Sequence, residues 1–478
     1  MNFDMEKECN TIQTKIVATI GPASMGEVVL AKMIRSGMSV ARLNFSHGNH
    51  DTHRQVIQMV RKVAAEEGKP VAILQDLCGP KIRLTEMADP VPVKLNDTIR
   101  LSVSEKNDAD IYTDFEDLAN IVDAGETILI DDGYLELKVI RVEGQVIICR
   151  VMTEGLIKSR KGINLPDLSV SIPVFTEKDK IDLKFGLDQD VDMVALSFVD
   201  AGTNIAPVRE MIKKVGKKIP VIAKVERPRA LEKIDGIIDA FDGIMIARGD
   251  LGVEVAPERV PIIQKELTQK ANRENKLVIT ATQMLESMIE NPRPTRAEAS
   301  DVSNAILDGS DAVMLSGETA VGKYPVRAVD MMGRIACRTE KSDLYRHRWL
   351  ERKAVHHNHT EAIVKSAAEI SSTLGARYIL VFSFTGVTAL LLSKFRPCCP
   401  IIAFTPNEEV VRRMASYWGV IPQRMDFTAH TDEMILRGEE LLEARGLVDN
   451  GDLVVTVAGV TPMRGATNML RISEIQRD

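Results

Sequence analysis

The sequence predicts an α/β protein whose main part is a closed (β/α)8 barrel, with an inserted small β-barrel domain and a C-terminal α/β domain. Three observations support this prediction. Eight short runs rich in Val and Ile recur with helix-like segments between them. A long stretch typical of antiparallel strands interrupts the series between the third and fourth runs. After about residue 345, a charged, histidine-bearing stretch begins a new alternation of strand-like and helix-like segments.

The size and charge of the chain limit its functions. A length of 478 residues favours about three domains, and a net charge of -7 argues against a general nucleic-acid binder with a basic face. No apolar run approaches the roughly 18 residues of a membrane span, and the N-terminus lacks the apolar segment of a signal peptide. The six cysteines form no C-x-x-C pair, so we expect reduced thiols. We predict a cytoplasmic protein with no nucleic-acid partner and no membrane partner.

The eight apolar runs are interpreted as parallel strands, because they show the weak alternation of strands buried on both faces. In chain order they span 15–20, 39–43, 71–75, 192–198, 219–225, 243–247, 277–281 and 312–316. Helix starts are indicated by two capping-box patterns, Ser24 with Glu27 and Thr176 with Asp179. Eight strand–helix units favour a closed (β/α)8 TIM barrel over the alternative, a doubly wound open sheet. We assign residues 1–80 and 173–345 to this barrel.

Residues 81–172 are predicted to form the inserted β domain. Two turn dipeptides inside it, Asp132-Gly133 and Glu143-Gly144, lie at hairpin-like positions between apolar segments. A domain inserted into a loop at a catalytic mouth can act as a lid. Residues 346–478 are predicted to form the third domain, with a mostly parallel sheet.

Charged and hydroxyl side chains occur at the ends of the barrel strands where reactive residues belong. They are Arg42, Asn44, Ser46 and His47 at the second run, Asp76 at the third, Lys224 and Glu226 at the fifth, Arg248, Gly249 and Asp250 at the sixth, Thr280 and Thr282 at the seventh, and Ser316 and Glu318 at the eighth. Because the carboxyl ends of parallel strands meet at one face of a barrel, these groups predict a site for a divalent metal ion and a phosphorylated anion.

The residue types indicate the chemistry of this site. Glu226 and Asp250 offer hard oxygen ligands suited to Mg²⁺. Lys224 and Arg42 supply positive charge where a transferring phosphoryl group spreads its negative charge, and one such donor is typically worth about 2.7–4 kcal/mol of barrier. Gly249 permits close backbone approach, and the N–H groups that open the next helix can receive a carboxylate. Taken alone, the lysine and its neighbouring glutamate could instead form a structural ion pair.

A series of sequence strings extends these observations along nearly the whole chain. They include TKIVATIGPAS (14–24), RLNFSHG (42–48), GPKIR (79–83), KGINLP (161–166), AKVER (223–227), ARGDLGVE (247–254), TATQMLESMI (280–289) and DVSNAILDGSDAVMLSGETA (301–320). Together and in this order, the strings resemble the pyruvate kinase family. The resemblance implies Mg²⁺-dependent phosphoryl transfer from phosphoenolpyruvate to ADP, giving pyruvate and ATP in the last step of glycolysis, with Mn²⁺ as an alternative metal.

The resemblance also implies roles for individual residues. The substrate-binding positions are Arg42, Lys224, Gly249, Asp250 and Thr282, the metal ligands are Glu226 and Asp250, and the nucleotide-binding positions are Pro22, Asn44, His47, Arg83 and Lys161. Lys224 looks like the lysine that stabilises the phosphoryl group in flight. Thr282 looks like the residue near the enolate, with Ser316 as a candidate member of the same proton relay. Which group protonates the enolate carbon stays open.

One position departs from the family pattern. Members that need K⁺ resemble GPEIR where this chain has GPKIR, so that Lys81 replaces a glutamate. The monovalent-cation ligands match Asn44, Ser46 and Asp76, and Leu77 stands where many members carry threonine. We predict that the ammonium group of Lys81 takes the place of the bound cation and that K⁺ is not required.

A second anion site is predicted in the C-terminal domain. Ser383, Thr385, Gly386 and Thr388 follow a strand and open a helix, an arrangement that suits phosphate. They resemble the family's effector-phosphate loop, and residues 457–468 resemble the loop that closes over a sugar. An ordinary strand–helix turn is the alternative. The resemblance implies activation by a sugar phosphate or a nucleotide monophosphate, and a homotetramer.

Two further patterns are interpreted as structural. Residues 317–324 almost match a P-loop, but Tyr324 stands where the motif needs Ser or Thr, so we expect a barrel loop. His356, His357 and His359 lack the cysteine or carboxylate spacing of a metal site. We expect a solvated linker there.

Two competing functions are weighed against phosphoryl transfer. A metal-dependent lyase acting on phosphoenolpyruvate or pyruvate would share the metal site, but it does not predict the inserted domain or the C-terminal domain. An effector-binding pseudoenzyme would usually have lost Lys224, Glu226 or Asp250, and all three are present.

Overall fold

A computed structural model describes residues 12–166, 173–345, 358–459 and 467–476. His356 and His357 of the predicted linker lie outside these residues, as does the stretch 460–466 of the predicted sugar loop. Within the described residues, no helix combines the length and the apolar character needed to cross a bilayer.

The first described elements alternate between parallel strands and helices. They are β1 (Lys15–Thr19), α1 (Glu27–Arg35), β2 (Met38–Asn44), α2 (His50–Glu66) and β3 (Ala72–Asp76). The predicted capping box of Ser24 with Glu27 is wrong, because α1 has Gly26 at its N-cap and no side-chain cap. Ser24 Oγ instead accepts the N–H of Gly21 at 3.1 Å and closes the preceding turn.

The inserted region consists of short strands and a one-turn helix. They are β4 (Ile82–Arg83), β5 (Val91–Val93), β6 (Thr98–Ser102), β7 (Ile111–Tyr112), α3 (Leu118–Ile121), β8 (Thr127–Ile130), β9 (Leu135–Glu143), β10 (Val146–Val151), β11 (Gly155–Ile157) and β12 (Gly162–Asn164). Strands pair in the order β4-β12-β8-β9-β10-β6-β7, and β11 pairs with β5. A bridge between Leu84 and Thr113 joins the two edge strands, so the larger sheet closes on itself. Both predicted hairpins are confirmed by the antiparallel pairs β8–β9 and β9–β10.

The barrel resumes after the insertion. Its further elements are α4 (Glu177–Asp188), β13 (Met193–Leu196), α5 (Ala206–Lys214), β14 (Val221–Val225), α6 (Pro228–Glu232), α7 (Ile234–Ala240), β15 (Gly243–Ala247), α8 (Arg248–Glu254), α9 (Val260–Arg273), β16 (Leu277–Ala281), α10 (Arg296–Asp308), β17 (Ala312–Leu315), α11 (Gly317–Ala320) and α12 (Pro325–Glu340). Short 3-10 turns lie at Gly202–Ile205, Pro257–Arg259 and Glu286–Ile289. The capping box of Thr176 with Asp179 is present at the start of α4, as predicted.

The parallel strands close into a barrel in the order β1-β17-β16-β15-β14-β13-β3-β2. Each of the predicted apolar runs supplies one strand, which confirms the (β/α)8 fold. Successive residues of a strand point to opposite faces of the sheet, and both faces are buried. Ile16, Ile73 and Ile244 belong to the cluster under the helices, whereas Val17 and Met245 belong to another buried cluster. Because both faces are buried, the runs show little polar alternation.

The C-terminal domain is an α/β sheet structure. Its elements are α13 (His359–Leu374), β18 (Tyr378–Phe382), α14 (Val387–Ser393), β19 (Ile401–Thr405), α15 (Glu408–Met414), β20 (Val420–Arg424), α16 (Thr431–Ala444), β21 (Leu453–Gly459) and β22 (Thr467–Glu474). Strand order is β20-β19-β18-β21-β22, with parallel pairs except β21–β22. His359 was expected in a linker but begins α13, because the Asn358 side chain caps this helix through the N–H of Glu361.

Ion pairs join the C-terminal domain to the amino ends of the barrel strands. Asp192, directly before β13, lies 2.8 Å from Arg412 Nε of α15. Asp311, directly before β17, pairs with Lys394 and with Arg396 at 2.8 Å from its Nη1, and all three of these side chains are fully buried. The domain therefore packs against the barrel face opposite to the carboxyl ends of the strands.

The cysteines of the described residues divide into two groups. Cys78, Cys149, Cys398 and Cys399 carry free thiols, as predicted. Cys337 is disulfide-bonded, so the prediction of a reduced thiol is wrong there. Burial raises the pKa of Cys149 to about 12 and that of Cys399 to about 11, which makes these two thiols unreactive at neutral pH.

Candidate active site

The predicted site residues meet at the carboxyl ends of the barrel strands. Asn44, the last residue of β2, is in register with Asp76, the last residue of β3. Ala195 of β13 is also in register with Asp76, and Ala223, one residue before Lys224, pairs with Leu196. Parallel pairing thus brings residues from separate parts of the chain to one edge of the barrel.

Lys224 lies at the centre of a buried ionic network. Its Nζ is 2.8 Å from Glu226 Oε1, 2.8 Å from Ser197 Oγ and 3.3 Å from Asp76 Oδ1. Burial lowers the pKa of Lys224, but the charges of Asp76 and Glu226 outweigh burial and raise the pKa above its ordinary value. The lysine is therefore protonated and positioned at neutral pH.

Arg42 is held on the other side of Asp76. Its Nε and Nη2 both lie 2.7 Å from Asp76 Oδ2, and its Nη1 donates to Thr19 Oγ1 at 2.9 Å. Burial alone would raise the pKa of Asp76, but Lys224 and Arg42 reverse that effect and hold the pKa below its usual value. Two cations are thus fixed around one ionised carboxylate.

Glu226 and Asp250 are the carboxylates available for a metal ion. Glu226 is 1% exposed, and its Oε2 accepts the N–H of Phe198 at 2.7 Å. Burial raises the pKa of Glu226, Lys224 opposes this rise, and the nearby Asp250 adds to it. Asp250 is half-buried in the first turn of α8. Two hard carboxylates whose charges disfavour each other fit a divalent cation.

Thr282 has a strained backbone at the end of β16. Its φ is 68°, a left-handed conformation that is costly for a β-branched residue. Arg248 stabilises it by donating to Thr282 O at 2.8 Å and pairing with Asp301 at 2.7 Å. Thr282 Oγ1 accepts the N–H of Gly249 at 2.7 Å. This N–H was expected to be available to a substrate carboxylate, and in the structure it already has an acceptor.

Ser316 follows β17 at the same face of the barrel. Its Oγ is buried and has no hydrogen-bond partner among the described residues. Glu318 accepts the N–H groups of Ser316 at 2.7 Å and Leu285 at 3.0 Å. Glu318 was predicted to face the mouth. Its carboxylate instead joins two loops beside the site through these hydrogen bonds.

The predicted nucleotide positions differ in their exposure to solvent. Pro22 and His47 are exposed, and Asn44 and Arg83 are half-buried. Burial lowers the pKa of His47, and the charges of Arg83, Lys81 and Arg42 lower it further, so these groups are close in space. Lys161 in the inserted domain forms an ion pair with Asp131 at 2.7 Å.

The monovalent-cation positions are also close to one another. Asn44 Oδ1 accepts the N–H of Ser46 at 3.1 Å, and Asn44 is in register with Asp76. Lys81 is exposed in the segment that leads into the inserted domain. The positive charge of Lys81 lowers the pKa of His47, so it acts on the residues near the end of β2.

A cleft lies between the inserted domain and the barrel mouth. Lys81, Asp132 and Asn164 line it on one side, and Arg227, Asp250 and Glu254 line it on the other. Asn164 Nδ2 donates to Glu254 Oε1 across the cleft at 3.1 Å. Burial raises the pKa of Glu254 to about 7, against the opposing effects of Arg227 and Asn164.

Several site assignments from the sequence change in the structure. Thr280 was expected at the mouth, but it is buried and its Oγ1 lies 2.6 Å from Ser310 Oγ. Ser197 and Thr19 were missed, although each contacts a catalytic candidate. A search for polar residues within the last few positions of the first and fourth runs could have found both. Glu254 could not be found in this way, since it ends a helix.

The predicted effector loop forms a strand–helix turn. Ser383 follows β18, and its Oγ accepts the N–H of Gly386 at 3.1 Å. Gly386 has a φ of 78° at the N-cap of α14. Thr388 Oγ1 lies 2.8 Å from Thr467 Oγ1 of β22, and Thr385 is half-buried.

The P-loop-like string forms a loop of the barrel, as predicted. Residues 317–320 are the one-turn helix α11. Lys323 pairs with Glu290, and an added Cβ at Gly322 would lie 2.5 Å from Glu318 O. The backbone is therefore packed against its own preceding turn and does not form an open phosphate loop.

The barrel, the fixed cations at its mouth and the cleft under the inserted domain define an enzyme for anionic substrates. A family model described as "Pyruvate kinase, barrel domain" matches residues 11–329, and one described as "Pyruvate kinase, alpha/beta domain" matches residues 361–473. The chain belongs to the pyruvate kinase family, and it is a phosphotransferase enzyme.

Individual relatives match nearly the whole chain. It is 43% identical over 472 residues to the pyruvate kinase of Clostridium acetobutylicum, which covers 97% of this chain and 100% of that protein. It is 44% identical over 471 residues to the pyruvate kinase of Geobacillus stearothermophilus, covering 97% of this chain and 80% of that protein. Pyruvate kinase 2 of Synechocystis sp. is 44% identical over 472 residues, covering 97% of this chain and 79% of that protein.

Proposed function

We propose that this enzyme transfers the phosphoryl group of phosphoenolpyruvate to ADP, giving pyruvate and ATP in the last step of glycolysis. The observation that carries the proposal is the position of Lys224 between Asp76 and Glu226 at the barrel mouth. A cation fixed there before the substrate arrives stabilises a phosphoryl group in transit without reorganisation. The names of the relatives support the same reaction.

Glu226 and Asp250 would hold the divalent metal ion, Mg²⁺ or Mn²⁺. Magnesium at phosphoryl-transfer sites is usually bound by one or two carboxylates together with substrate oxygens. When bound, the ion supplies charge neutralisation for two anionic substrates. Lys224 and Arg42 add fixed positive charge beside it, and Asp76 orients both side chains. Positioning and charge neutralisation account for most of the catalysis of such a transfer.

Protonation of the enolate is proposed to involve Thr282 and Ser316. Thr282 Oγ1 is held in place by Gly249 N–H and donates to Ala281 O at 2.6 Å. The unpartnered Ser316 Oγ provides a second hydroxyl at the same face of the barrel.

The nucleotide is proposed to bind between the barrel and the inserted domain. Its binding positions are Pro22, Asn44, His47, Arg83 and Lys161. The lowered pKa of His47 keeps the imidazole neutral at pH 7, so the nucleotide phosphates meet the charges of Arg83 and Lys161. Because Lys161 belongs to the inserted domain, we propose that residues 81–172 act as a lid.

Lys81 is proposed to replace K⁺ in function. Asn44, Ser46 and Asp76 are the positions that would otherwise ligate the ion. The charge of Lys81 already acts on His47, which supports an electrostatic role near the nucleotide phosphates. Turnover should accordingly not depend on added K⁺.

The C-terminal domain is proposed to bind an activating sugar phosphate or nucleotide monophosphate. Ser383, Thr385, Gly386 and Thr388 form the turn that would receive its phosphate. We also propose a cytoplasmic homotetramer, as the family resemblance implies. If neither class of effector alters the phosphoenolpyruvate saturation curve, the effector site is refuted.

The deciding experiment measures pyruvate formation from phosphoenolpyruvate and ADP with Mg²⁺, in buffer free of Na⁺ and K⁺, followed by addition of K⁺. Robust turnover before K⁺ is added supports both the reaction and the role of Lys81. Activity only with K⁺ keeps the reaction and refutes that role. Absence of turnover in all conditions, with sugar phosphates present, refutes the proposed function in favour of a pseudoenzyme.

A further inference from the structure

We propose that Glu254 is a positioning residue that couples the inserted domain to the metal-binding helix α8 through its hydrogen bond with Asn164. The proposal rests on the proposed function, since this contact is expected to affect phosphoryl transfer in the cleft. It concerns a residue outside the catalytic and metal-binding sets described above.

The contact links the two sides of the cleft directly. Asn164 ends β12 of the inserted domain, and its Nδ2 donates to Glu254 Oε1 at 3.1 Å. Both residues line the cleft together with Asp250. Lys161 lies three residues before Asn164 in the same segment, so a hold on Asn164 also restrains a proposed nucleotide ligand.

Glu254 and Asp250 share one face of α8. Residues four apart in a helix are neighbours on its surface, and α8 spans Arg248–Glu254. Any displacement of Glu254 toward or away from the inserted domain therefore moves the short helix that carries Asp250. The position of a proposed metal ligand depends on where the inserted domain lies.

A second route joins Glu254 to the other metal-binding carboxylate. The charge of Arg227 acts on Glu254, and its guanidinium lies over the Phe198 ring at 4.8 Å. Phe198 has a left-handed φ of 56°, and its N–H donates to Glu226 at 2.7 Å. Glu254 is thus linked to Asp250 along α8, and to Glu226 through the charge of Arg227 and the position of Phe198.

The surroundings of Glu254 argue against a purely stabilising task. Burial disfavours its charge, and the like charges of Glu226 and Asp250 add to that cost. A half-buried carboxylate in such a place is weak evidence for stability and a candidate for function. Asn164 provides the neutral hydrogen bond that offsets part of the cost.

The test compares Glu254→Ala, Asn164→Ala and the double variant with Glu254→Gln, which keeps an oxygen acceptor for Asn164. The control is Glu258→Ala, an exposed residue shortly after the same helix. We expect kcat/KM for ADP to fall about tenfold in either alanine variant and no further in the double variant, because one contact is lost in each case. The KM for phosphoenolpyruvate should change little, and Glu254→Gln should retain most of the activity.

Hydrogen exchange of the intact protein gives a readout that does not depend on activity. Faster exchange at residues 162–165 in Glu254→Ala, and unchanged exchange in Glu258→Ala, is expected. Equal exchange in all variants, or fully additive kinetic effects, overturns the coupling. If the unmodified enzyme does not convert phosphoenolpyruvate and ADP, the proposed function fails, and the exchange data still decide whether the contact holds the inserted domain.

Discussion

The buried ion cluster around Asp311 offers a quantitative test of how the C-terminal domain is attached. Asp311 Oδ1 lies 2.8 Å from Arg396 Nη1, Asp311 Oδ2 pairs with Lys394, and the same Oδ2 accepts the N–H of Val278 at 2.7 Å. The three charged side chains are 0% exposed. Asp311→Ala would remove the carboxylate that pairs with two buried cations.

The expected loss follows from these contacts. Removal of one partner of a buried ion pair costs about 3–5 kcal/mol, and an unsatisfied buried N–H adds about 1–3 kcal/mol. Lys394 keeps a hydrogen bond to Asn272 Oδ1 at 3.1 Å, and Arg396 keeps one to Gly309 O at 2.8 Å. These neutral acceptors retain hydrogen bonds but not charge, so we expect a loss of at least about 3 kcal/mol in the free energy of unfolding.

Asp242 is the matched control. It lies directly before β15, accepts the N–H of Val221 at 2.7 Å and pairs with Arg209 at 2.5 Å. Its side chain, however, is 41% exposed and that of Arg209 is 38% exposed. An exposed ion pair contributes about 0.2–1 kcal/mol, so Asp242→Ala should cost much less than Asp311→Ala.

Urea unfolding followed by the fluorescence of Trp418 measures the difference. The Trp418 ring lies 4.7 Å from the Arg396 guanidinium and is buried, so its emission reports on this interface. A Trp349→Phe background removes the other tryptophan of the chain. Equal shifts of the urea midpoint in Asp311→Ala and Asp242→Ala, at unchanged m-value, would refute the reasoning.

Three further predictions concern the site. Lys224→Met should lower kcat about 10²–10³-fold, the effect of removing one fixed charge donor, whereas Lys265→Met at an outer ion pair should change kcat little in the same steady-state assay. Lys81→Glu should make turnover depend on K⁺, with about a tenfold difference or more between K⁺-free and K⁺-containing assays, and equal rates in both would contradict the role of Lys81. Burial raises the pKa of Glu254 from 4.5 to about 7, so the contribution of the protonated carboxyl to the free energy of unfolding is present below pH 4.5 and is lost as pH rises through 7. The metal-free protein should therefore lose stability relative to Glu254→Gln over this interval. A difference in urea midpoint that does not change with pH would oppose the assignment.

The sequence determined the barrel and the general location of the site. Strands buried on both faces need apolar residues at successive positions, so each run could be recognised locally. Once the strands are parallel, their carboxyl ends meet, which is why the sequence alone assigns Arg42, Asp76, Lys224 and Glu226 to one site. Turn dipeptides such as Asp132-Gly133 were sufficient to predict the hairpins, because a tight turn depends only on neighbouring residues.

Tertiary structure alone decided the direction and the partners of particular side chains. Thr280 and Thr282 are the same residue type two positions apart. Thr280 forms a hydrogen bond with Ser310, whereas Thr282 adopts a φ of 68° and its carbonyl oxygen accepts from Arg248. Capping patterns depend on where the helix actually begins, and α1 begins too late for Ser24 to cap it.

The long-range contacts were equally hidden from the sequence. Asn164 and Glu254 are 90 residues apart, and Asp311 and Lys394 are 83 residues apart. Hydrophobic periodicity and turn chemistry act over a few neighbouring residues and identify elements. A hydrogen bond between two elements exists only after both have packed, because its geometry depends on the positions of two separate backbones.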